Sequence, residues 1–238
     1  MVMNNSEIQL PQHIALIPDG NRRWSKARGR PPWEGHWAAE KVLENFLDWC
    51  LELNIHQVSI WIGSTENLTR RPEKEVEELS KLYLRLLEKW ESKESILDKY
   101  EVKVKFIGDL KKLPPKLVKL MGKIMQRTAK YQKKLLNVLI NYGGKFELVE
   151  VFKKLATKIV KAGKIEITER DIEQNLLVNS PVDLVIRTGG FSRLSNFMMW
   201  QASYAEIYVT KTLLPDFSKR ELMKAIRWYS SVKRNFGA

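Results

Sequence analysis

Three short segments concentrate the side chains that could do chemistry. The first, Pro18-Asp-Gly-Asn-Arg-Arg-Trp24, sets one carboxylate, a glycine, an amide and two guanidiniums side by side. A glycine after an acid lets backbone N–H groups approach an anion, and Arg22 and Arg23 add charge-assisted donors. Asp19 could hold a hard cation between itself and a phosphate. As structure alone the segment is an Asp-Gly turn with exposed arginines. The second, Gly63-Ser-Thr-Glu-Asn-Leu-Thr-Arg-Arg-Pro72, gathers hydroxyls, a carboxylate, an amide and two guanidiniums, although Ser64, Thr65 and Asn67 are equally good caps or turn formers. The third, Arg187-Thr-Gly-Gly-Phe-Ser-Arg-Leu-Ser195, surrounds a glycine pair with two arginines and several hydroxyls, which suits a diphosphate. Arg187 abuts an apolar run and needs an anionic partner if buried.

The elements that must position these segments alternate between two hydrophobic periods. Runs at His13–Ile17, Val58–Ile62, Val102–Ile107, Leu136–Ile140, Val182–Ile186 and Glu206–Val209 read as strands. Between them, helical spacing covers about Glu34–Leu53, a long charged stretch from Glu73, a helix opened by Pro114-Pro115, Phe146–Ala162 and Glu169–Val178. Ser218, with Glu221 three residues on, predicts a capping box for a terminal helix. Such alternation predicts an α/β single domain spanning residues 1–238, with a mainly parallel central sheet of about six strands and helices on both faces. Ligands bind beyond the carboxyl ends of strands in sheets of this kind, where all three segments fall.

Composition narrows the class of ligand. The 238 residues carry 41 Lys+Arg against 28 Asp+Glu, a net charge of +13, with 44% hydrophobic and 29% charged residues. These are globular values with a cationic excess, which points to nucleic acid, an anionic membrane face, a phosphorylated substrate or simply a solvated surface. The one cysteine, Cys50, between Trp49 and Leu51, excludes an internal disulfide and reads as a small core residue in a reducing compartment. No signal-peptide pattern opens the chain, and no run approaches 18 apolar residues. Walker A, G-x-G-x-x-G, G-x-S-x-G, zinc-spaced His/Cys and Asp-Asp patterns are absent from the sequence, as is any nucleic-acid-binding motif.

Together the motifs resemble the cis-prenyltransferases, which include undecaprenyl and dehydrodolichyl diphosphate synthases. The resemblance rests on His13-Ile-Ala-Leu-Ile-Pro-Asp-Gly-Asn-Arg-Arg-Trp24, Gly35-His36, Ser64-Thr-Glu-Asn67 with Arg71-Pro72, and Arg187-Thr-Gly-Gly190 with Arg193-Leu-Ser-Asn-Phe197. It implies a catalytic domain that condenses isopentenyl diphosphate onto an allylic diphosphate (farnesyl or geranylgeranyl diphosphate) with Mg²⁺, giving a Z-polyprenyl diphosphate. Asp19 would carry Mg²⁺ on the allylic diphosphate, and Gly20, Asn21, Arg22, Arg23 and His36 would hold that diphosphate. Ser64, Glu66 and Asn67 would position the homoallylic substrate, with Asn67 at the site of proton removal. Arg187, Arg193 and Ser195 would bind isopentenyl diphosphate. Trp24, Thr65, Leu68, Arg71 and Leu194 belong to the same substrate-binding motifs, and Glu206 matches a metal-linked acid. The resemblance further implies a homodimer, a cytoplasmic location with peripheral membrane contact, and a glycosyl carrier lipid as destination.

Several positions depart from the family pattern. Pro32 replaces an arginine, Arg70 is an extra residue beside Arg71, and Phe191-Ser192 replaces a Glu-His pair. The C-terminal Arg-x-Gly element becomes Asn235-Phe-Gly237. A helix about three residues longer around Glu91–Ser95 points to a medium or long product. The alternative is a non-catalytic or partner-dependent subunit, weakly favoured by the altered tail. Apolar candidates for a product tunnel are Trp61, Leu82, Leu86, Val104, Phe106, Val138 and Ile140. Most of the +13 lies away from the motifs: residues 111–134 hold nine Lys/Arg and no acid. Diphosphates and an anionic membrane explain the charge better than nucleic acid, which is not an expected partner.

Overall fold

The computed structural model describes residues 8–66, 71–92, 95–162 and 166–233. Its strands are β1 (His13–Ile17), β2 (Gln57–Trp61), β3 (Val102–Ile107), β4 (Lys134–Leu139), β5 (Leu184–Arg187) and β6 (Glu206–Val209). The helices are α1 (Asn21–Lys26), α2 (Glu34–Glu52), α3 (Glu73–Glu91), α4 (Ile96–Lys99), α5 (Pro115–Thr128), α6 (Gly144–Ala162), α7 (Glu169–Asn175) and α8 (Lys219–Ser231). The six strands form one all-parallel sheet in the order β3-β4-β2-β1-β5-β6. The chain builds to one side of β1, then returns to its other side with β5 and β6. This reversal makes the end of β1 a topological switch point, where open α/β sheets leave a crevice.

All five residues of β1 are buried, because both sheet faces are covered. Side-chain alternation sends Ile14 and Leu16 into a core shared with α2, α3, α5 and α8, including Phe46, Leu87, Met121 and Ile226. Ala15 and Ile17 face a second cluster with Tyr142, Phe197 and Met198. Helices α6 and α7 meet around Val151, Leu155 and Leu176. Cys50 is fully buried and its thiol pKa is pushed up by burial, as befits a core residue.

Strands β2 and β4 and the start of α6 move by one or two residues, and three further expectations shift, each because of a polar contact. Strand β5 begins at Leu184, not Val182, because the Asp183 carboxylate takes the backbone N–H groups of Gln12 and His13 at 2.8 and 2.9 Å. It runs one residue further, so Arg187 is its last residue and pairs in register with Ile17. Helix α7 stops at Asn175 instead of Val178, since the N–H groups of Leu177 and Val178 donate to Glu147. The capping box expected at Ser218 does not form. The Glu221 carboxylate is drawn to Thr210, Thr212 and Lys224 instead, and the box lies at Thr168 and Asp171.

A buried polar chain crosses three strands. His13 Nδ1 donates to Pro181 O at 2.7 Å, so the proton sits on Nδ1 and Nε2 accepts from Ser59 Oγ at 2.7 Å. Ser59 Oγ in turn accepts from Asn137 Nδ2 at 3.0 Å. Burial lowers the His13 pKa from 6.5 to about 4. The unfolded chain therefore takes up a proton before the folded one does, and stability falls as pH drops below 6.5. The loss expected down to pH 4 is on the order of 3 kcal/mol. Urea unfolding across that range measures it; His36, also lowered, adds in the same direction. His13→Asn should flatten the slope, and an unchanged slope removes His13 as its source.

Candidate active site

The site forms where β1 and β5 end side by side. After Ile17 the chain turns at Pro18, and Asp19 O accepts from Thr188 Oγ1 at 2.6 Å and Leu214 N at 3.1 Å. Its carboxylate is held from two sides, by Arg187 Nη2 on Oδ2 at 2.9 Å and Arg23 Nη2 on Oδ1 at 3.3 Å. Arg187 is 4% exposed and also donates through Nη1 to Ser195 Oγ at 2.9 Å and to Arg193 O. Arg23 Nη1 donates to Gly189 O at 2.7 Å. Gly189 adopts φ +82, and a Cβ there would lie 2.4 Å from Arg23 Nη2, so only glycine allows this closure.

A second group joins the starts of α1, α2 and α3. A Cβ on Gly35 would lie 2.0 Å from Asn21 O; glycine thus lets α2 approach α1 and carries His36 to Asn21. Asn21 Nδ2 and His36 Nδ1 are 3.0 Å apart. On its other side His36 Nε2 faces Arg71 Nη1 at 3.4 Å and Glu75 Oε1 at 3.6 Å. Burial lowers the His36 pKa, with Arg71 and Arg22 adding to the shift and Glu75 opposing it, so the imidazole is neutral at neutral pH. Glu75 is 1% exposed and also meets Arg71 at 3.4 Å and Arg22 at 3.7 Å. Its pKa is lowered, first by His36 and then by the two arginines. Glu75 was not among the expected site residues. Its i,i+4 spacing from Arg71, in the first turn of α3, is the signal that could have found it.

At the second segment, Ser64 bridges to Tyr142 beyond the ends of β2 and β4. Asn196 Nδ2 reaches Glu66 Oε1 at 3.3 Å. Burial raises the Glu66 pKa, but hydrogen bonds from its own N–H, Ser64, Thr65 and Asn196 outweigh it and the net shift is down.

These groups ring the mouth of a cavity of about 410 Å³. Asp19, Asn21, His36, Ser64, Glu66, Arg71, Arg187 and Ser195 line its polar part. Trp61, with Ala39 and Leu43 of α2 and Leu79, Leu82 and Leu86 of α3, lines its apolar part. Of the other tunnel candidates, Val104, Phe106 and Val138 pack into the core, and Ile140 lines a neighbouring cavity across α3. The arrangement suits a ligand with a polyanionic head and an apolar chain.

Not every expected residue reaches this mouth. Trp24 turns away: its indole N–H donates to Asp216 Oδ1 at 2.8 Å and Arg28 stacks on its ring at 4.0 Å. Leu194 packs against the apolar cluster beneath the third segment, where it anchors the loop. Gly20, Arg22, Arg23, Thr65 and Arg193 stand beside the lining residues, outside the cavity wall. Glu206 heads β6 in register with Leu184, roughly 10 Å down the strands from the level of Arg187 and Ile17, and further still from Asp19, which lies two residues past Ile17. A metal on Asp19 is thus beyond the reach of Glu206 in the same chain. Among the described residues no three His, Cys, Asp or Glu side chains converge as a metal site. Asn67, Leu68, Arg70 and the tail from Arg234 to Gly237 lie outside the described residues.

Comparison with known proteins agrees with this geometry. Residues 17–237 match the family model described as "Putative undecaprenyl diphosphate synthase". An isoprenyl transferase of Thermotoga maritima is 38% identical over 97% of this chain and 98% of its own. A tritrans,polycis-undecaprenyl-diphosphate synthase (geranylgeranyl-diphosphate specific) of Pyrococcus abyssi is 39% identical over 96% of this chain and 87% of its own. Lavandulyl diphosphate synthase from Lavandula x intermedia, solved with dimethylallyl diphosphate, superposes with a TM-score of 0.89 at 32% identity, covering 96% of this chain and 99% of that one. The segments that converge on Asp19 all fall within the matched residues, and the chain belongs to the cis-prenyltransferase family, with the undecaprenyl diphosphate synthases and isoprenyl transferases.

Proposed function

We propose that the protein condenses isopentenyl diphosphate onto an allylic diphosphate, with Mg²⁺, to make a medium- or long-chain Z-polyprenyl diphosphate for a glycosyl carrier lipid. The observation that carries this reading is the Asp19 carboxylate clamped by Arg23 and Arg187 at the mouth of a cavity with an apolar far wall. Ionisation of the allylic diphosphate breaks its C–O bond and leaves the electron pair on the departing diphosphate. Arginines already fixed at that point stabilise the growing charge without reorganising. The π bond of isopentenyl diphosphate then attacks the allylic cation, and loss of a proton restores a double bond. Holding both reactants in a site walled from water supplies the entropic share of the rate. The growing chain runs between α2 and α3. His36, neutral and backed by Glu75, offers hydrogen bonding without adding charge.

The donor set fits Mg²⁺. This ion is usually held by one or two carboxylates, with substrate phosphates and water completing the shell, and Asp19 supplies one partly exposed carboxylate. When bound there it neutralises charge on the leaving diphosphate. Arg187, Arg193 and Ser195 are proposed to hold isopentenyl diphosphate; Gly20, Asn21, Arg22, Arg23 and His36 the allylic partner. The Pyrococcus relative supports geranylgeranyl diphosphate as a primer to test beside farnesyl diphosphate. The decisive experiment supplies purified protein with labelled isopentenyl diphosphate, Mg²⁺ and each primer. Extension by the protein alone supports a complete catalyst; extension only with a second protein supports the subunit reading.

The exposed Tyr204 and Ile207 at the unpaired edge of β6, with Phe152 on α6, support a homodimer, which sedimentation measures. No helix among the described residues is long and apolar enough to cross a membrane. Delivery of a polyprenyl product places the protein at a membrane surface instead. Its attraction to anionic lipid is modest, because Lys112, Lys116, Lys123, Arg127 and Lys133 are matched by Asp109, Glu88, Glu91, Asp98 and Glu101. Co-sedimentation with anionic liposomes at low salt should exceed that with neutral ones about threefold and vanish in high salt. Equal binding to both removes the electrostatic contribution.

A further inference from the structure

Phe191 is a large apolar side chain left 38% exposed on a loop between a glycine pair and an arginine. Its position is fixed from behind. Gly189 N donates to Thr212 O and Gly190 N to Thr210 O, both at 2.8 Å, while Leu194 sinks into the apolar cluster below. The positive φ of Gly189 and Gly190, +82 and +80, turns the chain back over the ends of β1 and β5. The exposed ring is surrounded by guanidiniums. Arg193 lies 4.2 Å from its centroid, Arg23 4.5 Å and Arg187 6.0 Å.

Three like charges around one ring repel each other, and their gathering needs a cause. Asp19 holds two of them, Arg187 and Arg23. Among the described residues Arg193 reaches no carboxylate, and its side chain is fixed by the ring alone. An aromatic face attracts guanidinium through its quadrupole without neutralising it. A carboxylate in the same place, where the family pattern has the glutamate of a Glu-His pair, would also collect the arginines but would offset one of their charges. A ring leaves three cations against one carboxylate, an excess suited to a diphosphate.

We propose that the face of Phe191 is the platform that gathers Arg187 and Arg193, read above as the isopentenyl diphosphate site, and Arg23, read as part of the allylic site, into one cationic cluster between the two diphosphates. Phe191 is then a positioning residue, touching no reacting atom, and it acts through the three arginines. The inference rests on the reading above that this cluster receives substrate diphosphate, but its test does not need turnover. Three variants divide the possibilities: Phe191→Leu keeps bulk and loses the π face, Phe191→Tyr keeps the face, and Phe191→Ala loses both. Calorimetric titration with inorganic pyrophosphate gives the affinity directly, and steady-state rates give KM for isopentenyl diphosphate separately from kcat.

Phe191→Leu should weaken pyrophosphate about tenfold and raise KM by a similar factor, with kcat changed about twofold or less. Phe191→Tyr should stay within about twofold of the wild type. Because the side chain is largely outside the core, thermal unfolding of all three should match the wild type. If Phe191→Leu binds pyrophosphate as the wild type does, or Phe191→Tyr is as weak as Phe191→Leu, the platform is ruled out. If the wild type extends no primer while Phe191→Leu still weakens pyrophosphate, the positioning role stands and the catalytic reading falls.

Discussion

Asp19→Ala should lower chain extension about a thousandfold, with the protein still folded. The carboxylate is the one negative group between Arg23 and Arg187, where the proposed mechanism has the leaving diphosphate develop charge. Removing it takes away the anchor proposed for Mg²⁺ and releases two arginines that it orients. The variant should also separate binding from chemistry. Without Asp19, Arg23, Arg187 and Arg193 keep their charge and lose their internal counter-ion, so metal-free pyrophosphate should bind as tightly as before or more tightly while kcat collapses. Such a split marks an interaction made chiefly in the transition state. Asp19→Asn, which still offers Arg187 an acceptor, should be nearly as inactive, separating lost charge from lost packing. Turnover above about a tenth of wild type in either variant would falsify the role given to Asp19.

The second large effect is on stability. Glu147 is 1% exposed and accepts from Tyr142 Oη at 2.6 Å, Gln201 Nε2 at 2.9 Å, Leu177 N at 2.7 Å and Val178 N at 3.2 Å. One carboxylate thereby ties α6 to the exit of β4, to the end of α7 and to the segment after the third motif. Burial and the nearby Glu147 charge both drive the Tyr142 pKa upward, so the phenol remains a donor. Glu147→Ala orphans these donors in a dry environment and should cost about 4 kcal/mol. For a chain of this size the midpoint of thermal unfolding should fall by about 8–15 °C. Glu147→Gln, which keeps an acceptor, should cost about half as much. A loss below about 1 kcal/mol by urea unfolding would show that water replaces the carboxylate at little cost.

How much was legible in the sequence follows from the range of each interaction. Strands β3 and β6 fall at their expected limits, because alternation and a bounding glycine or lysine are local signals. The start of β5 was misplaced, because what moves it is Asp183 reaching the backbone of Gln12 and His13, more than 160 residues away. Ser218 and Glu221 have the spacing of a capping box, but two threonines after β6 compete for the glutamate and win. Within the site, Asp19, Arg23, Arg187 and Ser195 could be named because their residue types carry the chemistry, whereas His36, isolated in sequence, was named only through the family resemblance. Trp24 and Leu194 occupy the same motifs but face Asp216 and the apolar cluster, which motif membership cannot distinguish. Glu75 and Phe191 were missed for the converse reason. Each matters only through residues brought to it from other elements.

Asp19 and Arg187 are 168 residues apart in sequence, and Arg23 and Gly189 are 166 apart. Strand β1 emerges first yet waits for β5 before its second edge is paired. Closing so long a loop pays its entropy before any contact rewards it, and parallel pairing of distant strands is intrinsically slow. During synthesis, a chain that has not passed Arg193 holds the aspartate and the apolar slot but not the arginine cluster proposed to receive a diphosphate. The proposed site is therefore assembled only after β5 has joined the sheet, so a partly made or partly refolded molecule would lack the arginines proposed to draw charge off a substrate before it can enclose one.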